Sequence, residues 1–186
     1  MPTLGVVVAS LREGRVGLPV AEWFIGHVRS HGKFEPSLLD LKVIDLPMLT
    51  ARKHPRLGGY ELEPTKAWAA SVAACDAFVF VTPEYNHGIA PALVNALDHV
   101  NAEWNYKACS FVSYGGVSAG LRAVHAAKTT VAALKMVPIF EGVPIPFVAQ
   151  LIQDGVFKGS ETLDKSALLM LDELVRWDGA LRTLRQ

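Results

Sequence analysis

The chain has 186 residues, 51% of them apolar and 19% charged, and its 18 basic and 18 acidic side chains cancel. That length and composition suit one domain, residues 1–186, with enough apolar material for a sizeable core. With no basic stripe and no run of like charge, nucleic acid and anionic membrane surfaces are excluded as expected partners, and no apolar run reaches the ~20 residues that span a bilayer.

The pattern alternates apolar, β-rich runs with amphipathic stretches. Thr3 to Ala9 is a continuous apolar run, predicted as a parallel strand buried on both faces. It opens the chain without a leader-like basic and apolar pattern. Leu18 to Arg29 reads as a helix, with Pro19 in a first turn that needs no N–H bond there. Residues 34–45 read as a second strand, placed at an edge by the early Pro36. Residues 47–60, with Pro47, Pro55, Gly58 and Gly59, are loop-like. Glu63 to Ala74 is the next helix, and residues 77–86 are a third strand plus its loop. Pro91 to Val100 is a helix, residues 108–116 a fourth strand plus loop, and Ser118 to Lys135 a long helix. A fifth strand comes from Val137 to Ile139 or from Pro146 to Ala149. Thr162 to Leu184 closes the chain as a helix with Leu171, Leu174, Val175 and Leu181 on one face. Strands alternating with helices imply a doubly wound α/β sandwich. Ligands of such folds bind beyond the carboxyl ends of the strands.

The three most unusual loops all follow strands. The first, Ser10-Leu11-Arg12-Glu13-Gly14-Arg15-Val16-Gly17, leads into a helix N-terminus, itself an anion site through its free N–H groups and dipole. Ser10 adds a hydroxyl, Arg12 and Arg15 add forked cationic donors, and Gly14 and Gly17 permit close backbone approach. Two cations would balance a phosphomonoester's charge of about −1.5 to −2. The loop lacks both the Gly-Lys-Ser/Thr ending of a nucleotide-hydrolase P-loop and the dinucleotide fingerprint, so one terminal phosphate fits it best. A solvated turn with surface-paired arginines is the structural alternative.

The second loop, Thr82-Pro83-Glu84-Tyr85-Asn86-His87-Gly88, offers a stiff turn, an aromatic surface for a flat ring, and the backbone N–H groups of Glu84, Tyr85 and Asn86. The third, Ser113-Tyr114-Gly115-Gly116 and onward, joins another aromatic to a glycine pair. Each alone could be an ordinary turn; three at one sheet edge point to a single site. His27 and His31, four apart, have ligand-compatible spacing but no third ligand in view, so no metal site is assigned. His87 borders the second loop. Trp23, Trp68, Trp104 and Trp177 fall on predicted helices as core or interface residues, with Trp104 near enough to the second loop to face a neighbouring subunit. Cys75 and Cys109 each lie in an apolar run and form no Cys-x-x-Cys pair, which suits buried thiols in a reducing cytoplasm.

On these loops the chain resembles the NADPH-dependent FMN reductase family, which includes quinone, azo-compound and chromate reductases. "ASLREGRVG" is similar to the family's Gly-Ser-x-Arg-x-Gly-Ser/Arg phosphate loop, with Ala9 where Gly is usual. "TPEYNHG" is similar to its Pro-Glu-Tyr-Asn flavin loop, and "SYGGVSAG" to its third, Gly-rich loop. The likeness spans most of residues 3–140. It implies a flavodoxin-like three-layer sandwich with a five-stranded parallel sheet in order 2-1-3-4-5 and FMN at the switch point. It assigns Ser10, Arg12, Arg15, Val16 and Gly17 to the phosphate. Pro83, Glu84, Tyr85 and Asn86 go to the isoalloxazine, with Ser113, Tyr114, Gly115 and Gly116 on its other side. The implied activity is ping-pong hydride transfer from NADPH or NADH through FMN to a small acceptor, without a catalytic side chain, in a homodimer or homotetramer. An FMN electron carrier without nicotinamide turnover is the rival reading. The neutral charge argues against it, since such carriers tend to be acidic. A flavin-free module that kept the fold is a second rival, opposed by the three intact loops.

Overall fold

The computed structural model describes residues 1–185. Its central sheet carries β1 (Thr3–Val8), β2 (Glu35–Asp40), β3 (Ala77–Tyr85) and β5 (Ala108–Tyr114), with the short β4 (Gly88–Ile89), β6 (Val137–Pro138) and β7 (Val143–Ile145) attached. The parallel path runs β2-β1-β3-β5-β6. β4 folds back antiparallel on β3, and β7 pairs in parallel with β5. Apart from that hairpin strand and the divided outer strand, this is the expected order of five.

Alternation of side chains explains why these strands are apolar throughout. Leu4, Val6 and Val8 of β1 share one core with Ala77, Val79 and Val81 of β3. They pack under α1 (Gly17–His31) and α6 (Glu161–Leu181). Val7, Phe78, Phe80 and Phe111 point the other way, into a second core. It is covered by α3 (Glu63–Ala73), α4 (Pro91–Asp98) and α5 (Leu121–Ala133). Trp104 lies in that second core at 0% exposure, its ring 4.8 Å from Phe78. It therefore faces no neighbouring subunit, contrary to one sequence expectation.

Two predicted elements end differently. The second strand stops at Asp40 and residues 41–44 form a one-turn helix, α2 (Leu41–Ile44), whose N-terminus is capped by the Asp40 carboxylate accepting from Lys42 N at 3.0 Å. Pro146 to Ala149 is not a strand. Phe147 turns the chain at φ 47°, and Val148–Leu151 is a 3₁₀ turn. The outer strand is instead β6 plus β7, separated by residues 139–142.

The 47–60 segment is tied down by α4. Asn95 Nδ2 donates to Pro47 O and Asn95 Oδ1 accepts from Leu49 N, while His99 Nε2 lies 2.9 Å from the same Pro47 carbonyl. His27 and His31 each face an aspartate of α6, Asp164 at 3.0 Å and Asp172 at 3.1 Å. Among the described residues no group of three or more His, Cys, Asp or Glu is placed to hold a metal, and no helix is long and apolar enough to cross a membrane. Cys75 and Cys109 are buried and unbridged. Burial pushes the Cys75 thiol up to about 11 and raises that of Cys109 further.

Candidate functional site

The sheet register brings the three loops together. Val8 lies opposite both Asp40 and Val81, Val81 opposite Val112, and Pro83 opposite Tyr114. The chain therefore leaves β1, β3 and β5 side by side at one sheet edge. There the loops enclose a cavity of about 250 Å³. Ser10, Arg12, Arg15 and Val16 line it from the first loop, Pro83, Glu84 and Tyr85 from the second, and Tyr114 and Gly115 from the third.

The one acid of the first loop, Glu13, is exposed and accepts from Lys42 Nζ at 2.6 Å, which leaves the loop's donors unopposed at the cavity. α1 has no side-chain cap and no acidic residue in its first turn, so the N–H groups of that turn keep their hydrogen-bonding capacity. Arg12 is exposed and makes no ion pair among the described residues. Arg15 behaves otherwise. Both its terminal nitrogens meet the two oxygens of Asp40, a bidentate pair with 10% and 8% side-chain exposure. Arg15 Nη1 also donates to Ser10 O at 2.8 Å. The Asp40 hydrogen bonds raise the Arg15 pKa against the effect of burial. The expected pair of free cations is thus one free cation, Arg12, beside one that is neutralised and holds Ser10 in place. Asp40 escaped the sequence reading. Its signal was an acid at the end of an apolar strand run.

Tyr114 supplies the least expected group. Its hydroxyl is buried and has no hydrogen-bond partner among the described residues. An unsatisfied buried hydroxyl is costly in a folded chain. Burial raises its pKa, with further upward push from Tyr85. The nearby Ser10 hydroxyl and the charges of Arg15 and Arg12 act the other way. Gly17 explains how Tyr114 fits, because a Cβ there would lie 2.5 Å from the Tyr114 hydroxyl oxygen. Gly17 therefore makes room for the ring without lining the cavity.

The second loop is a β-hairpin. Asn86 and His87 form its tip with φ of 48° and 66°, and Glu84–Ile89 and Tyr85–Gly88 pair across it. Positive φ at both central residues suits the right-handed twist of the arms, and Asn tolerates that region better than most residues. Asn86 and His87 are exposed at the tip and lie outside the cavity wall. Tyr85 is anchored by its hydroxyl, 2.8 Å from Ser10 Oγ. Glu84 caps α5 from outside that helix. Its carboxylate accepts from Arg122 N at 3.1 Å and from Arg122 Nε at 2.6 Å. Arg122 holds its carboxyl below the usual carboxylate range. Glu84 thus fastens the second loop to the first turn of α5.

In the third loop the Ser113 hydroxyl is buried and donates to Ala119 O at 2.8 Å, a strut within the loop. It lies off the cavity wall, as does exposed Gly116. Both differ in this from the sequence assignment. Gly120 has φ 81°, and a Cβ there would sit 2.8 Å from Tyr114 N, so only glycine lets the loop close before α5. A segment that carried no motif completes the wall. Phe147 N donates to Gly116 O and Val148 N to Gly115 O, which places Val148 in the cavity lining beside Gly115.

One free guanidinium, an uncapped helix, an unpartnered tyrosine hydroxyl and the rings of Tyr85 and Tyr114 thus converge on one cavity. The model of the NADPH-dependent FMN reductase family matches residues 2–150. The chain belongs to that family. An NAD(P)H-dependent FMN reductase of Schizosaccharomyces pombe is 39% identical over 121 residues, 64% of this chain and 60% of that relative's own length. An NAD(P)H-dependent FMN reductase of a Nectria species is 30% identical over 168 residues, covering 84% of this chain and 83% of the relative. The flavoenzyme NAD(P)H:(acceptor) oxidoreductase FerB of Paracoccus denitrificans shares the fold with a TM-score of 0.78 at 22% identity, over 97% of this chain and 98% of that one.

Proposed function

We propose that this protein is an FMN-containing oxidoreductase that takes hydride from NADPH or NADH and passes it to a small acceptor such as a quinone, an azo compound, a metal oxyanion or free flavin. The observation that carries this reading is the convergence of free Arg12, the uncapped α1 and the unpartnered Tyr114 hydroxyl on one cavity, inside the family's motif set. Bound FMN would supply the hydride chemistry itself, as flavins do. The residues supply binding and orientation. Arg12, Ser10 and the N–H groups about Val16 and Gly17 hold the phosphate, with Arg15 and Asp40 keeping Ser10 in position. The Pro83 to Asn86 hairpin and the Tyr114 to Gly116 turn border the ring. Glu84 ties the hairpin to the start of α5, and Ser113 braces the third loop internally.

A cavity of about 250 Å³ is below the roughly 300–1,000 Å³ that encloses a whole drug-sized ligand. It takes the phosphate end and leaves the ring on the outer surface of the loops, open to both substrates. Residues 1–186 act as one unit in a homodimer or homotetramer, and the two unbridged thiols suit a cytoplasmic setting.

Tyr114→Phe tests the hydroxyl. It should leave the melting temperature of the FMN-free protein unchanged or raised, because the orphan group is gone. It should weaken FMN binding by roughly 2- to 10-fold, one neutral hydrogen bond's worth. FMN affinity equal to wild type would remove Tyr114 from the site. The activity is tested by steady-state rates with NADPH varied at several quinone concentrations. Parallel double-reciprocal lines are expected, because both substrates use one open face in turn. Intersecting lines would show both bound together and contradict the shared face.

A further inference from the structure

The segment between β2 and α3 belongs to none of the three site loops, yet the topology puts it on their edge of the sheet. β2 runs parallel to β1 with Asp40 opposite Val8, so it ends beside the first loop. α3 leads into the amino end of β3 at Ala77, so it starts from the same edge. Residues 46–60 between them hold Arg52, Lys53, His54 and Arg56 and no acid. All four are exposed. Among the described residues Arg52, Lys53 and Arg56 make no ion pair. Other cations of this edge are neutralised, Arg15 by Asp40, Lys42 by Glu13 and Arg122 by Glu84. Apart from Arg12, already given to the FMN phosphate, the unpaired charge at the edge gathers on this one segment.

The cations sit on a turn that is tied at several points. Asn95 holds Pro47 O and Leu49 N. Pro55–Leu57 is a 3₁₀ turn whose Arg56 N donates to His54 Nδ1 at 3.1 Å. The Tyr60 hydroxyl donates to Glu103 Oε2 at 2.7 Å and accepts from Asn101 N at 3.1 Å. Gly58 and Gly59, with φ of 60° and 63°, fold the chain back, and a Cβ on Gly59 would lie 2.9 Å from Lys53 Nζ. Three like charges fixed within five residues repel one another, and a multiply charged anion relieves that repulsion. Leu57, next to Arg56, stands at 70% exposure and adds apolar surface for a flat base.

We infer that Arg52, Lys53 and Arg56 bind the 2′-phosphate of NADPH and make NADPH the preferred hydride donor over NADH. This deepens the oxidoreductase reading and rests on it. A nicotinamide laid on the open flavin face leaves its adenosine end to extend along the sheet edge, beyond the loops. NADPH differs from NADH only by a phosphomonoester of about −1.5 to −2 charge. The chain has no dinucleotide fingerprint, and hence no acid in the usual place for a ribose hydroxyl. Discrimination between the two donors therefore needs cations elsewhere, and arginine forks suit a phosphate.

Steady-state rates with each nicotinamide at saturating quinone decide it, together with calorimetric titration of the FMN-loaded protein with 2′,5′-ADP and with 5′-ADP. Wild type is compared with Arg52→Ala, Arg56→Ala and the triple variant that also carries Lys53→Ala. Thermal melting checks that the variants fold. In wild type the KM for NADPH should lie below that for NADH by roughly 10- to 100-fold, and 2′,5′-ADP should bind tighter than 5′-ADP by a similar ratio. The triple variant should bring both ratios close to one, with the loss in KM and not in kcat, and added salt should raise the wild-type KM for NADPH. A wild type that uses both donors with equal KM would overturn the site and leave the oxidoreductase reading standing. A triple variant that keeps the preference for NADPH would do the same. A wild type that binds 2′,5′-ADP tightly, loses that binding in the triple variant and oxidises neither nicotinamide would support the phosphate site and overturn the oxidoreductase reading.

Discussion

Arg12→Ala will weaken FMN binding by about 10- to 100-fold while leaving riboflavin binding almost unchanged. Arg12 is the exposed guanidinium of the first loop and has no carboxylate partner among the described residues, so its charge is available to a ligand phosphate. A hydrogen bond to a charged group contributes roughly 1.5–3 kcal/mol, and each 1.4 kcal/mol is tenfold in affinity. Riboflavin lacks the phosphate and presents the same ring and ribityl chain, so the ratio of the two dissociation constants isolates the phosphate contact. Quenching of flavin fluorescence gives both. Equal losses for FMN and riboflavin would show that Arg12 supports the loop and not the phosphate.

Arg15→Ala will instead destabilise the fold. Arg15 and Asp40 are a bidentate pair with side-chain exposures of only 10% and 8%. Removing one partner of such a pair leaves a largely desolvated charge and costs about 3–5 kcal/mol. For a chain of this size that lowers the melting temperature by on the order of 10 °C. Asp40 also caps α2 through Lys42 N, so the end of β2 and the loop after β1 loosen together. The double variant Arg15→Ala with Asp40→Ala should recover part of the loss, since no unpaired charge remains, and its non-additivity measures the coupling. A thermal scan of the FMN-free proteins decides it. Arg15→Ala melting with wild type would mean that water already solvates the pair.

Two neighbouring arginines therefore have separate duties, a division that no inspection of "SLREGR" reveals. The strand and helix order was legible because hydrophobic alternation is a property of local sequence. Val6 and Val7 face opposite cores, and both must be apolar wherever helices cover each side. The site loops were legible from their residue types and from the rule that ligands gather beyond strand ends. What was not legible depends on pairing across the fold. Asp40 is 25 residues from Arg15 and reaches it only through the β1–β2 register. Arg122 is 38 residues from Glu84 and meets it because the hairpin and α5 leave the same sheet edge. Val148 enters the wall through backbone bonds to Gly115, which have no side-chain signature. The second strand was drawn too long because Leu41 to Ile44 are as apolar as a strand. The capping action of Asp40, not their propensity, turns them into a helix. A hydroxyl near glycines, such as Ser113, suits either a ligand or a strut, and its 2.8 Å bond to Ala119 O is visible only in the fold.

The central claim is tested most directly by the visible spectrum of the FMN-loaded protein under anaerobic addition of NADPH or NADH. Bleaching of the bound flavin bands on nicotinamide addition, with full recovery on adding a quinone, is the predicted result. Bound flavin that neither nicotinamide bleaches would contradict it and leave an FMN electron carrier in its place.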